Sequence, residues 1–119
     1  MSYLFICYKR CSTCAKAKKF LEENNVDYKF REITEENPTA KELALWIEKS
    51  ALPIKRFFNT SGKIYREQNL KDKLPTMSDS EKIDLLATDG MLVKRPLLIK
   101  DDKVLVGFKE KEYKELVWR

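Results

Sequence analysis

The feature that most constrains the fold is a Cys-x-x-Cys pair where a strand-like run gives way to a helical pattern. The run Tyr3–Cys7 is rich in aromatic and β-branched residues, which favours a β-strand. From Ala17 onward apolar residues recur at i, i+3 and i+4, the spacing of one buried helix face. Cys11 and Cys14 are therefore predicted at or just before the first helical turn, where unpaired backbone N–H groups and the helix dipole favour a thiolate.

This arrangement indicates a redox site. At a separation of three residues the second sulfur reaches the first once the turn forms, so a bond made by Cys11 can be resolved by Cys14 through a mixed disulfide. Lys9 and Arg10 place two positive charges directly before the pair. We expect both to contribute to substrate binding.

Metal-binding alternatives fit the cysteines less well. A structural zinc site needs four ligands, whereas the chain has three cysteines and no histidine. The spacing C-x3-C-x2-C, which includes Cys7, also holds iron–sulfur clusters in radical enzymes, but those enzymes resemble barrels too large for 119 residues. Cys7 is predicted instead to be a small buried hydrophobe, and no metal or other cofactor is expected.

Composition indicates one folded domain covering residues 1–119. Hydrophobic residues make up 43% and charged residues 36%, an ordinary globular balance. No run of 18 apolar residues and no signal-peptide pattern is present, so the expected location is the cytoplasm, without membrane association. In that compartment a Cys-x-x-Cys pair is more often catalytic or redox-sensing than structural.

The net charge of +5 raises the question of nucleic-acid binding. The lysines are, however, scattered along the chain and interleaved with glutamates, as in Lys109–Glu112. No zinc finger, phosphate-binding loop or RNA-binding aromatic motif accompanies them. Direct nucleic-acid binding is therefore not expected.

The order of elements predicts the fold class. Alternation over Val26–Arg31 predicts a strand, which completes a parallel βαβ unit. A helical excursion over about 37–90 follows. Asn37-Pro38 is its predicted helix start, Ser78 with Glu81 forms a predicted capping box, and Gly90 is a predicted helix end.

The last part of the chain predicts two strands and a helix. Leu97–Ile99 and Val104–Val106 are joined by a tight turn at Asp101-Asp102, and a closing helix from about Lys109 buries Tyr113, Leu116 and Val117. The order β-α-β, helices, β-β-α is that of an α/β fold. It predicts a thioredoxin-like four-stranded mixed sheet with a helical insertion.

In this order and spacing, the motifs resemble the arsenate-reductase-like branch of the thioredoxin fold. This branch includes glutaredoxin-coupled arsenate reductases and Spx-type transcription regulators. The resemblance extends from Tyr3 to about Val117. The motifs that carry it are Cys11-Ser-Thr-Cys14, Glu36-Asn-Pro38, Phe57-Phe-Asn-Thr-Ser-Gly62, Asp89-Gly90 and Lys94-Arg95-Pro96-Leu97.

The resemblance implies roles for individual residues. Cys11 matches the cysteine that attacks arsenate in the reductases. Arg95 matches an arginine that lies next to that cysteine, and Pro96 matches a proline whose cis peptide bond shapes the pocket. Separately, the polar loop that contains Asn59 is a candidate to hydrogen-bond a substrate if it is brought near Cys11.

Two departures argue against arsenate as the substrate. Asn59 and Gly107 stand where the reductases resemble one another in having further arginines, and neither pairs bidentately with an oxyanion. Cys14 stands where the reductases usually have a serine. It gives this chain an internal resolving thiol.

Three functions are therefore ranked. The first is a thiol–disulfide oxidoreductase using Cys11, Cys14 and Arg95, reduced by an external thioredoxin, glutaredoxin or glutathione system. The second is a Spx-like redox-sensing regulator that docks on the RNA polymerase α subunit, although the basic, proline-bearing segment Ser50–Arg56 does not resemble the acidic, glycine-containing stretch of Spx. Arsenate reductase proper is third.

Overall fold

The computed structural model describes residues 3–101 and 103–117, apart from the side chain of Val117. Predictions that concern Asp102 and the burial of Val117 lie outside the described residues. The chain divides into two compact units, one formed by Met1–Glu32 with Arg95–Arg119 and the other by Ile33–Lys94. The second unit nearly coincides with the helical insertion predicted over 37–90, while the single-domain organisation stays a prediction.

The first unit contains the predicted four-stranded mixed sheet, in the order β2-β1-β3-β4. Strand β1 pairs in parallel with β2 and antiparallel with β3, and β3 pairs antiparallel with β4. The α/β class and the thioredoxin-like topology predicted from the sequence are confirmed. The elements of this unit are β1 (Tyr3–Cys7), α1 (Ser12–Glu23), β2 (Tyr28–Glu32), β3 (Leu97–Lys100), β4 (Lys103–Val106) and α6 (Glu110–Val117).

A hydrophobic cluster joins one face of this sheet to helices α1 and α6. Tyr113 of α6 is fully buried, as predicted, and its ring meets those of Phe20 and Phe108 edge-on at centroid distances of 5.9 and 4.7 Å. Leu116 is only partly buried against the cluster. The buried members of the cluster are Phe5, Cys7, Cys14, Ala17, Phe20, Leu21, Leu98 and Tyr113.

The second unit is helical, as predicted. Its α-helices are α2 (Ala40–Ser50), α3 (Lys63–Glu67), α4 (Leu70–Lys73) and α5 (Asp79–Thr88), and its short 3₁₀ helices are Ile54–Phe57, Leu74–Thr76 and Gly90–Leu92. Among the described residues, no helix is both long and apolar enough to cross a membrane.

Two helix boundaries in this unit differ from the sequence prediction. Helix α2 is capped by Thr39 and not by Asn37, because Thr39 and Glu42 form a reciprocal capping box. The Asn37 amide donates instead to the carbonyl of Ala87, at 3.0 Å. Gly90 starts a 3₁₀ turn and does not end α5, and a Cβ there would lie 2.5 Å from the Ile33 carbonyl oxygen.

Replacing Tyr113 by Phe tests whether the cluster needs the tyrosine hydroxyl. That hydroxyl is buried with no hydrogen-bond partner among the described residues. Because an unpaired buried polar group costs free energy, Tyr113→Phe is expected to leave the free energy of unfolding unchanged or raise it by about 1 kcal/mol. Tyr113→Ala, the cavity control, is expected to lower it by roughly 3–5 kcal/mol. Urea unfolding measures both, and a clear loss of stability in Tyr113→Phe contradicts the prediction.

The capping box of α5 predicts a pH dependence. The Ser78 N–H, donating at 2.9 Å, and then the Ser78 hydroxyl hold the pKa of Glu81 below its ordinary value. The carboxylate's contribution to stability is therefore present above the ordinary pKa and lost as pH falls through the lowered one. Since glutamine keeps the cap but not the charge, the stability of Glu81→Gln should lie below wild type at neutral pH and converge with it in acid. A pH-independent difference in urea unfolding contradicts this.

Candidate redox site

The connection from β1 to α1 places Cys11 at the start of the helix, as predicted. Cys11 is the N-cap residue of α1, with extended backbone angles of φ −86° and ψ 122°. Its N–H donates to the Tyr8 carbonyl at 3.0 Å, and its carbonyl accepts the N–H of Ala15 at 3.1 Å. The residue is half-buried and lies directly before the first helical turn, and its side chain makes no capping hydrogen bond to the N–H groups of that turn.

The structure pairs the cysteines differently from the sequence prediction. Cys14 forms a disulfide with Cys7, and Cys11 is the free thiol. The predicted burial of Cys7 is confirmed at 0% exposure, but the prediction that it acts only as a small hydrophobe is wrong. Cys11 and Cys14, the predicted nucleophile and resolving thiol, are not bonded to each other in the structure.

The physical reason is that the strand pattern of β1 and the helix pattern of α1 meet at this junction. Cys7 shares a strand face with Phe5, two residues earlier, whereas Cys14 shares a helix face with Ala17 and Leu21. These two faces pack against each other, which brings the Cα atoms of Cys7 and Cys14 to 5.9 Å, within the usual range for a disulfide. The pairing was therefore accessible from the sequence, had the strand and helix patterns been combined.

A buried carboxylate that sequence reasoning missed stands beside this junction. Glu32 is the last residue of β2, pairs in register with Cys7, and is 7% exposed. Its Oε1 accepts the backbone N–H of Lys9 at 2.9 Å, which fixes the start of the loop before Cys11. The alternating pattern of β2 could have indicated this burial, because Glu32 lies on the same face of the strand as Tyr28 and Phe30.

Arg95 and Pro96 lie in the same unit as the cysteines. The Arg95–Pro96 peptide bond is cis, as the resemblance implied. The Arg95 guanidinium carbon lies 5.5 Å from the centroid of the Tyr8 ring, a cation–π contact. The carbonyl of Tyr8 accepts the Cys11 N–H, so Tyr8 contacts both Arg95 and the backbone of Cys11. The catalytic role of Arg95 stays a prediction.

A cleft of about 370 Å³ adjoins the disulfide. It is lined by both disulfide cysteines, by the aromatic residues Phe5, Tyr8 and Phe30, and by the lysines at positions 9 and 18. The predicted binding residue Lys9 is therefore placed at this cleft. Arg10 is exposed and is not among the lining residues.

Asn59 belongs to the second unit. Its N–H donates to the Leu92 carbonyl at 2.7 Å, and its Oδ1 accepts the Ser61 hydroxyl at 3.3 Å. The turn predicted for this loop is confirmed by the bond from the Gly62 N–H to the Asn59 carbonyl, at 3.0 Å. A contact between Asn59 and a substrate stays a prediction.

Replacing Glu32 tests its function as the anchor of this loop. Glu32→Ala leaves the Lys9 N–H without its acceptor, and we expect the free energy of unfolding to fall by about 1–3 kcal/mol. Glu32→Gln keeps an acceptor oxygen and should lose less. The exposed Glu23→Ala is the matched control, and urea unfolding is the measurement. Equal stability of Glu32→Ala and Glu23→Ala would rule out the anchor.

Comparison with known proteins identifies the family of this chain. The model of the ArsC family matches residues 7–116. YusI, an uncharacterized protein of Bacillus subtilis (strain 168), is 52% identical over 115 residues, covering 97% of this chain and 98% of YusI. A crystal structure from Bacteroides fragilis, described as related to the ArsC family, superimposes with a TM-score of 0.94 at 56% identity and covers 98% of both chains.

More distant relatives include transcription regulators. The global transcriptional regulator Spx 2 of Bacillus anthracis is 25% identical over 109 residues, covering 92% of this chain and 82% of the regulator. The family match covers most of the sequence and includes all three cysteines, Arg95 and Pro96. The chain belongs to the ArsC family.

Proposed function

We propose that this chain is a cytoplasmic thiol–disulfide oxidoreductase in which Cys11 is the attacking thiol. One observation carries the proposal: Cys11 is the only free thiol among the residues that the structure describes, and it stands half-buried at the N-cap of α1. A half-buried thiol is open to a substrate, whereas the other two cysteines are buried and bonded to each other. Access of a free thiol to the substrate is needed for attack on a disulfide.

The distribution of charge supports the same assignment. The unit that contains the cysteines has fourteen Lys and Arg against nine Asp and Glu, whereas the other unit has ten of each. All of the net positive charge thus belongs to the sequence of the first unit. A positive potential there stabilises a thiolate and attracts anionic substrates. Arg95, held over the ring of Tyr8, contributes one of these positive charges.

The reaction proceeds by two exchanges. The Cys11 thiolate attacks one sulfur of a substrate disulfide and forms a mixed disulfide, which releases the other half as a thiolate. A second thiol of the protein, with Cys14 as the candidate, then displaces the remaining half. Two electrons pass from the protein to the substrate, and the two thiol protons go to the released thiols. An external thioredoxin, glutaredoxin or glutathione system restores the dithiol.

A Spx-like regulator is the second candidate, supported by 25% identity to Spx 2 over 92% of this chain. The cysteines would then act as a sensor, and RNA polymerase would be the partner. The segment Ser50–Arg56 argues against this function. It leaves helix α2 through Ala51, in the left-handed conformation, and enters a 3₁₀ helix after Pro53, with two basic residues and no acidic one.

Arsenate reduction ranks third. The family relationship favours it, but Asn59 and Gly107 supply no guanidinium for the oxyanion. Gly107 has φ 77°, in the left-handed region, and its N–H donates to the Pro96 carbonyl at 2.8 Å. A side chain at this position would therefore be strained, so an arginine is not simply interchangeable here.

Removal of the attacking sulfur tests the proposed function. Reduced Cys11→Ser is expected to release aryl thiolate from a chromogenic aryl disulfide at least about a hundredfold more slowly than wild type, because the covalent step is lost. Ser12→Ala, at an exposed neighbouring position, should react like wild type. The rate of aryl thiolate release is followed by absorbance. A wild-type rate for Cys11→Ser would exclude Cys11 as the nucleophile.

A pull-down separates the oxidoreductase from the regulator. The oxidoreductase assignment predicts no specific retention of this chain on the RNA polymerase α subunit, in either its reduced or its oxidised form. Spx 2 serves as the positive control. Retention comparable to that of Spx 2 would favour the regulator.

A further inference from the structure

We propose that Cys7 is a third redox cysteine of this site, and that it stores the disulfide generated at Cys11. The bond formed between Cys11 and Cys14 passes to Cys14 and Cys7, so the oxidised protein regains a free thiol at Cys11. This relay rests on the proposed function of Cys11 as the attacking thiol. It gives Cys7 a role that the motif Cys-x-x-Cys alone does not contain.

The first observation is the pairing itself. Cys14 is bonded to Cys7 across 5.9 Å between Cα atoms, and Cys11 is left as a thiol. A two-cysteine cycle ends with the bond between Cys11 and Cys14. The observed bond instead connects the resolving cysteine to a residue on the neighbouring strand.

The second observation is the environment of each sulfur. Cys7 is 0% and Cys14 is 4% exposed, and both belong to the apolar cluster that contains Ala17 and Leu98. Cys11 packs against the same cluster but is only half-buried. The three residues therefore form one contiguous group, with Cys11 at its solvent side.

These environments determine the direction of the last exchange. An apolar interior disfavours a thiolate but accepts a neutral disulfide, whereas a charged group near the solvent side keeps its hydration. Of the possible pairs, the bond between the two buried residues leaves the remaining sulfur where negative charge is best tolerated. Burial thus draws the disulfide inward, to Cys7 and Cys14.

The relay balances in three exchanges. Cys11 attacks the substrate disulfide and releases one thiolate, and Cys14 then attacks Cys11 and releases the second. Cys7 attacks the sulfur of Cys14, which breaks the Cys11–Cys14 bond and returns Cys11 as a thiolate. In total, Cys7 and Cys14 lose two electrons and two protons, and the substrate disulfide becomes two thiols.

The cleft supplies the route for reduction of the stored bond. Cys7 and Cys14 both line this space of about 370 Å³, although little of either residue is exposed. A reducing thiol that enters the cleft reaches the disulfide at Cys14, which is 4% exposed, since Cys7 is 0% exposed and Cys11 is not among the lining residues. Oxidation at Cys11 and reduction at the buried pair therefore use different approaches to the same group.

Peptide mapping tests the relay on the wild-type chain. Trypsin cleaves after Lys9, Arg10 and Lys16, so peptide 1–9 contains Cys7 and peptide 11–16 contains the other two cysteines. Fully reduced protein is oxidised with one equivalent of the aryl disulfide, alkylated with iodoacetamide, digested and analysed by tandem mass spectrometry. The relay predicts two aryl thiolates released per chain, peptide 1–9 linked to peptide 11–16, and the alkyl label on Cys11.

The alternative outcomes are distinct. In one alternative, peptide 11–16 is unlinked and two hydrogens lighter, and the alkyl label is on Cys7. That result would leave the oxidoreductase function intact but overturn the relay. A mixed disulfide retained on Cys11, or a link from Cys7 to Cys11, would overturn the relay as well. If Cys11→Ser releases aryl thiolate as fast as wild type, both the proposed function and the relay are overturned.

A Cys7→Ala variant provides the matched test. It is expected to release the same two aryl thiolates but to end with the internal bond between Cys11 and Cys14, so that labelling of Cys11 is lost. Circular dichroism checks its fold, and if the variant does not fold, the wild-type map alone decides. Continued labelling of Cys11 in folded, oxidised Cys7→Ala would overturn the relay.

Discussion

The packing of β1 against the first turn of α1 is the constraint on which the candidate site depends. Strand β1 lies at the centre of the sheet, with β2 on one side and β3 on the other. Its last residue, Cys7, is bonded to Cys14 in the first turn of the helix. The four residues between β1 and Ser12 must reverse the chain direction while the Cα atoms of Cys7 and Cys14 stay 5.9 Å apart, and they bring Cys11 to the helix cap. The proposed redox chemistry of the chain therefore depends on this one junction.

The fold of the sheet-containing unit could be predicted from the sequence because each of its elements has a clear period. Local patterns predicted the parallel βαβ unit, the antiparallel pair β3 and β4, and the buried Tyr113. In the second unit they also predicted the Ser78–Glu81 capping box. The cap of α2 was misplaced by two residues. Asn37 has the residue type of a cap, but Thr39 has the partner three residues on that completes a capping box.

The site was predicted only in part, because its decisive contact joins two elements. The motif identified Cys11 and Cys14, yet no single period reveals which sulfur Cys14 meets. Glu32 was missed for a related reason, since a glutamate at the end of an alternating strand is more often solvated than buried. Asn59 belongs to the second unit, and its position does not follow from the sequence pattern around the cysteines. Local periods predict elements, whereas contacts between elements determine chemistry.

The bond between Cys7 and Cys14 spans a sequence separation of only seven residues. A ring this small removes little freedom from the unfolded chain, roughly 2–3 kcal/mol in the chain-entropy treatment. Typical domains have about 5–15 kcal/mol of stability. The short ring thus contributes less to stability than a disulfide that closes a long loop. A cross-link over such a short span is suited to repeated opening and closing, because each opening restores little freedom to the unfolded chain.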